Sequence, residues 1–140
     1  MIEFIFRNDF KLNGEKQIKT WLEKIAVSEG KEIMELQFIF CNDEQLLELN
    51  QNFLNHHTYT DVIGFDYSLG NMLQGEIHIS TERVKENALN YDTSFENELR
   101  RVMAHGLLHF CGYKDKTKDD ALQMKEKEEE KLKLFHVEQL

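Results

Sequence analysis

Short apolar segments of strand type, separated by amphipathic helical segments, are the feature of this chain that most constrains its fold. The strand-type segments are rich in β-branched and aromatic residues and cover residues 2–6, 35–40, 61–65 and 75–80. Between the first two segments, apolar residues recur at helical spacing from Ile18 to Ala26, and Gly30 is placed to end that helix. Asn42, with Gln45 three residues later, predicts the start of a second helix.

From Thr81 onward the composition is helical. Strands that alternate with helices early in the chain, followed by helices alone, predict an α+β fold. We expect one mixed sheet of about four strands with helices packed on it. The 140 residues, with 41% hydrophobic content, suffice for a single domain that spans the whole chain and has its own core.

The last predicted helix contains a run of charged residues, from Lys125 to Lys133. We interpret this run as a solvated helix face. Leu122, Phe135 and Val137 would dock the other side of the helix on the domain.

The net charge is −9, from 17 Lys and Arg against 26 Asp and Glu. Residues 32–82 contain nine acids and no Lys or Arg. The rest of the chain therefore has equal numbers of acidic and basic residues, 17 of each. This charge argues against general binding of nucleic acids or anionic membranes. With two cysteines, no signal peptide and no apolar run of membrane length, we expect a cytoplasmic protein without a disulfide framework, and a monomer.

His105 and His109 lie four residues apart in a predicted helix. At about 100° per residue, their imidazoles point to one side of the helix, one turn apart. Gly112 suits the left-handed conformation that reverses a chain, and the reversal can bring Asp115 beside the histidines. Two nitrogens and one carboxylate oxygen form a three-ligand site with an open position, typical of catalytic zinc. The alternatives are a hydrogen-bonded histidine pair and a surface aspartate.

The same helix is predicted to begin at Thr93, with Glu96 completing a capping box. Its core side gathers Leu99, Val102, Met103, Leu107 and Phe110. Glu98 shares the histidine face but lies about 10 Å from His105 along the axis, so we interpret it as a supporting residue and not as a base. Cys111 is expected to pack and not to bind metal.

Three histidines away from this helix have simpler interpretations. His78 shares a strand face with Glu76 and Ser80, and we interpret it as a solvent-facing residue of an edge strand. His56 and His57 are expected to be exposed in a polar loop.

The spacing of the histidines, Gly112 and Asp115 is that of the metzincin frame. Gly106 takes the place of the catalytic glutamate, and Asp115 takes the place of the third histidine. A metalloprotease is therefore one hypothesis, although peptide hydrolysis in this frame relies on the missing glutamate.

The motif also resembles the YbeY-type endoribonucleases, or rRNA maturation factors, whose signature is H-G-x-L-H-x-x-G-Y-D-H. The matching residues are His105, Gly106, Leu108, His109, Gly112 and Tyr113. Two further motifs of that family, T-D-V-L-S-F and G-D-I-x-I-S, are matched by Thr60, Asp61, Val62 and Phe65 and by Gly75, Ile77, Ile79 and Ser80. The resemblance runs from about residue 49 to residue 115.

This resemblance implies a metal-dependent endoribonuclease, specific for single strands, that acts in rRNA maturation and ribosome quality control. It implies one Zn²⁺ per chain on His105, His109 and Asp115, with rRNA and the small ribosomal subunit as partners. It assigns no catalytic base to this sequence.

The sequence departs from the family at several positions. Asp115 replaces the usual third histidine, and Leu54 stands where the family has an arginine that helps to hold RNA. Tyr59 and Gly64 replace a proline and a serine. A ribosome-associated factor that keeps the fold without catalysis is therefore a further hypothesis.

Cations remain on and beside the predicted metal helix. They are Arg100, Arg101, Lys114, Lys116 and Lys118. If RNA binds, we expect it to approach from this side, with an affinity that falls as salt rises.

Overall fold

The computed structural model describes residues 1–139, and side chains as far as Phe135. These residues form four strands and five helices around a main hydrophobic core, with a smaller second cluster formed by Cys41, Leu46 and Ile63. The elements are β1 (Ile2–Phe6), α1 (Glu15–Ser28), β2 (Glu32–Cys41), α2 (Asp43–Leu54), β3 (Val62–Asp66), β4 (Met72–Ser80), α3 (Thr81–Asn90), α4 (Phe95–Phe110) and α5 (Lys118–Gln139). None of the helices within residues 1–139 is long and apolar enough to cross a membrane.

The four strands form one mixed sheet in the order β1-β2-β4-β3. β2 runs parallel to both β1 and β4, and β3 pairs with β4 in the antiparallel direction. The predicted α+β fold with a four-stranded mixed sheet is confirmed.

The edge-strand interpretation of His78 is wrong. Its strand, β4, lies inside the sheet, because β3 pairs along its outer side and forms the edge. His78 is buried, with Nε2 2.8 Å from the Glu76 carboxylate and its ring edge-on to Phe65. Sequence alternation predicted a strand here, but the order of strands in the sheet decides which strand is covered.

α4 crosses the sheet with its predicted apolar side inward, since all five predicted core residues are buried. It approaches β4 closely at Gly106, where an added Cβ would lie 2.9 Å from Ile77 Cγ2. The two elements are equally close at Gly75 on β4, where an added Cβ would lie 2.8 Å from the ring of Phe110 on α4. Glycines on both elements therefore set how near the helix lies to the sheet.

The start of α4 differs from the predicted capping box by one residue. Ser94 is the N-cap, in extended conformation, and its hydroxyl accepts the backbone N–H of Asn97. The Thr93 hydroxyl accepts the side-chain amide of Asn97 instead.

The interpretation of the charged run as a solvated face is wrong for two of its residues. Glu128 and Lys131 are buried where α5 packs on α4 and α1. The Lys131 ammonium donates to the Glu29 carboxylate at 2.7 Å. The backbone carbonyl oxygen of Lys131 accepts a hydrogen bond from Trp21 Nε1, also at 2.7 Å.

The predicted docking side of α5 is confirmed at one position. Phe135 is buried edge-on to Trp21, whereas Leu122 is exposed. The side chain of Val137 lies outside the described part of the chain.

Candidate metal centre

The side chains of His105, His109 and Asp115 converge on one point above α4. The Nε2 atoms of the two histidines are 3.1 Å apart, and Asp115 Oδ2 lies 3.1 Å from His105 Nε2 and 3.3 Å from His109 Nε2. Tetrahedral ligands about 2.0–2.1 Å from a zinc ion would be about 3.3 Å from one another. The three donor atoms therefore fit a metal ion of that size, and the structure brings together the three predicted ligands.

Local structure explains this convergence. The two histidines lie one helical turn apart on α4, which ends at Phe110. Gly112 then adopts a φ of +106°, which reverses the chain and returns Asp115 to the histidines. Asp115 is exposed overall, yet its carboxylate faces both imidazoles.

A hydrogen bond from Tyr113 to Glu29 holds the loop that carries Asp115. The Tyr113 hydroxyl donates to Glu29 Oε1 at 2.7 Å, and Lys131 holds the other oxygen of the same carboxylate. Burial alone would raise the pKa of Glu29, but the hydrogen bonds from Lys131 and Tyr113 outweigh it, so the pKa is lowered. Cys111 packs on the core, as predicted, and is not part of the ligand group.

His105 has a partner on its second ring nitrogen. Its Nδ1 lies 2.6 Å from Oε2 of Glu128, on α5. Burial disfavours the charged imidazole, but the hydrogen bond and charge of Glu128, with the charges of Asp115 and Asp61, raise the pKa of His105 above its usual value.

The donor atoms lie in an open cleft of about 770 Å³ between α4 and the segment that connects α2 to β3. Its walls include five carboxylate side chains, Asp61, Asp66, Glu98, Asp115 and Glu128. Burial raises the pKa of Asp61, and it also raises that of Glu98, against the opposing charge of Arg101. The cleft is therefore acidic, and two of its carboxyl groups hold a proton more readily than exposed ones do.

The two predicted RNA-facing arginines are engaged within the protein. Arg101 pairs with Glu128 and Glu129, and the Arg100 guanidinium lies 4.3 Å from the centre of the Phe135 ring. Three lysines around the Asp115 loop, at positions 114, 116 and 118, are exposed. The exposed positive charge near Asp115 in the chain is thus on this loop and at the start of α5, and not on α4.

Two residues of the cleft escaped the sequence reasoning. Glu128 stands in a run of charged residues with nothing in its spacing to single it out, and only the packing of α5 brings it to His105. His56 and His57 are both exposed, as predicted, but His56 lines the cleft.

Glu98 is buried in the cleft wall, 4.0 Å from Arg101 Nε. This position agrees with a supporting role.

Comparison with known proteins gives close relatives over the full chain. A Christiangramia forsetii protein named Endoribonuclease YbeY is 56% identical over 138 residues, which is 99% of this chain and 96% of the relative. A Flavobacterium psychrophilum protein of the same name is 54% identical over 139 residues, with 99% of each chain covered.

The fold has a solved counterpart. The solution structure of a Thermotoga maritima protein superimposes with a TM-score of 0.69 at 29% identity, covering 99% of this chain and 91% of that one. The family model described as Endoribonuclease YbeY matches residues 6–136 of this sequence. On the strength of this match and of its close relatives, the chain belongs to the YbeY family.

Proposed function

We propose that this protein is a metal-dependent endoribonuclease that cuts single-stranded RNA during rRNA maturation and ribosome quality control in the cytoplasm. The observation that carries this proposal is the convergence of three donor atoms within 3.3 Å of one another in an open cleft. Relatives more than half identical to the chain are named endoribonucleases, which supports the reaction class.

We assign one Zn²⁺ to His105, His109 and Asp115. Imidazole and carboxylate ligands suit zinc, and three protein ligands leave a position open. When bound, such an ion supplies Lewis acidity toward a phosphodiester oxygen and brings the ionisation of water toward neutral pH. Holding that ion is the task of the two histidines and the aspartate.

Other residues of the cleft handle protons. Gly106 supplies no base at the position where the metzincin frame has a glutamate. The half-buried carboxyl group of Asp61 and the buried one of Glu98 have raised pKa values and line the same cleft. We assign proton exchange in the cleft to Asp61, because burial makes its carboxyl group hold a proton more readily than an exposed one does, and Glu98, beside Arg101, keeps its supporting role.

The proposed partners are rRNA and the small ribosomal subunit, and the proposed state is a monomer. An acidic cleft repels phosphates, so the RNA backbone needs cations nearby. The exposed lysines at positions 114, 116 and 118, which lie close to Asp115 in the chain, would supply them.

One observation favours a second candidate, a ribosome-associated factor without catalysis. Leu54 lines the cleft at the position where the family resemblance led us to expect an arginine, and Arg101, the only Lys or Arg among the described cleft residues, is paired with carboxylates. Such a factor would bind small-subunit particles without cutting RNA.

The test measures metal content and cleavage together. Purified protein should contain about one zinc ion per chain and cut a labelled single-stranded RNA, and a chelator should stop the cutting. The double variant His105→Ala, His109→Ala should lose both the ion and the activity, whereas His57→Ala, outside the cleft, should keep both. Undiminished metal in the double variant would overturn the site.

Two further outcomes separate the alternatives. Metal-loaded protein that binds small-subunit particles but cuts no RNA supports the non-catalytic factor. Chelator-sensitive cleavage of casein in place of RNA would support the metalloprotease.

A further inference from the structure

We propose that Glu128 is a positioning residue of the metal centre, which fixes the tautomer and ring orientation of His105. This role rests on the proposed metal site. Glu128 lies on the last helix, 23 positions beyond His105, and would set the protonated nitrogen and the orientation of that imidazole.

The geometry around His105 separates its two ring nitrogens. Nε2 faces the ligand cluster, 3.1 Å from both His109 Nε2 and Asp115 Oδ2. Nδ1 points the other way and lies 2.6 Å from Glu128 Oε2. Because a carboxylate only accepts, the proton of the neutral ring belongs on Nδ1, and the lone pair of Nε2 is left for the ion.

Glu128 is itself held in place, so it can orient the ring. Its side chain is 11% exposed, and its other oxygen, Oε1, accepts from Arg101 Nη1 at 3.2 Å. One turn later on α5, Lys131 is held by Trp21 on α1 and by Glu29, the residue directly after α1. These contacts set the register of α5 against α4, and with it the position of the carboxylate.

The other histidine lacks this support. Within the described side chains, the hydrogen bonds of His109 all involve Nε2. His105 is also the more buried of the two, with 23% of its side chain exposed against 38% for His109. The structure therefore concentrates control of the ligand geometry on the His105–Glu128 pair.

The experiment measures Co²⁺ binding to the full chain, with visible absorption reporting both affinity and coordination. We expect Glu128→Ala to weaken Co²⁺ binding about ten- to a hundredfold. Glu128→Gln should lose less, because its amide oxygen still accepts from Nδ1–H. Glu126→Gln is the matched control, since Glu126 is an exposed acid two positions away on the same helix.

A purely structural role would give a different pattern. In that case both Glu128 variants would melt at a lower temperature but bind Co²⁺ with unchanged affinity and an unchanged spectrum, which overturns the proposal. If Glu128→Ala does not fold, the affinity and spectrum of Glu128→Gln decide the question. Wild-type protein that binds no Co²⁺ would overturn the metal site itself, and this role with it, whereas bound Co²⁺ without RNA cleavage would overturn only the endoribonuclease proposal.

Discussion

Gly106 lies so close to Ile77 that a Cβ on the glycine would be 2.9 Å from the Cγ2 of the isoleucine. Gly106 follows the first metal-ligand candidate directly and holds the place of the metzincin glutamate. In this fold that place faces the sheet. A glutamate side chain there would meet the core, so the fold itself argues against a metzincin-type peptidase.

This contact predicts the effect of Gly106→Ala. The added methyl group overpacks the interface of α4 with β4, and we expect a loss of about 1–3 kcal/mol in the free energy of unfolding, measured by urea denaturation. A double-mutant cycle with Ile77→Ala is the control, because removal of the Ile77 side chain opens the space. Additive effects in that cycle would contradict the contact.

Asp115→His should tighten zinc binding, because it restores the ligand more common in such sites. We expect about a tenfold lower Kd, equivalent to roughly 1.4 kcal/mol, measured by competition with a chelating dye. A weaker binding constant would mean that the loop after Gly112 is shaped for the shorter carboxylate.

Glu29→Gln should destabilise the protein at neutral pH by about 3 kcal/mol, the low end for a broken buried ion pair, because the buried Lys131 ammonium then keeps only the exposed Glu130 as a charged partner. The lowered pKa of Glu29 gives the pH dependence. A carboxyl group with a lower pKa in the folded state contributes stability above its unfolded pKa, and this is lost as the pH falls through the folded pKa. The difference in the free energy of unfolding between wild type and variant should therefore shrink below about pH 4.5.

Urea denaturation at pH 7 and at pH 3 measures this difference. Glu23→Gln, an exposed position on α1, is the matched control and should change little. An equal loss for Glu29→Gln at both pH values would show that the ion pair is not its source.

Replacing the three exposed lysines near Asp115, Lys114 and Lys116 in the loop and Lys118 at the start of α5, with glutamine should weaken binding of single-stranded RNA and flatten its salt dependence. Loss of three phosphate contacts would reduce the slope of log K against log salt by about 2. Fluorescence anisotropy with a labelled RNA measures both. The matched triple variant at the exposed lysines 16, 85 and 133 should retain the wild-type slope, and an equal reduction there would place the RNA elsewhere.

The sequence by itself determined the local parts of the site. Helical spacing put His105 and His109 on one face of α4, and Gly112 marked where the chain turns back. These features depend on contacts within a turn or two of helix, which residue order dictates directly. The strand segments could also be predicted from the sequence, because their apolar and β-branched residues are contiguous.

Only the tertiary structure decided which distant residues surround the site. The order of strands placed β4 and His78 inside the sheet, and the docking of α5 turned Glu128 and Lys131 from members of a charged run into buried partners. The reason is physical. A charged side chain far along the chain becomes buried and paired only through the packing of whole elements, and the local pattern of charges is the same whether that packing occurs or not.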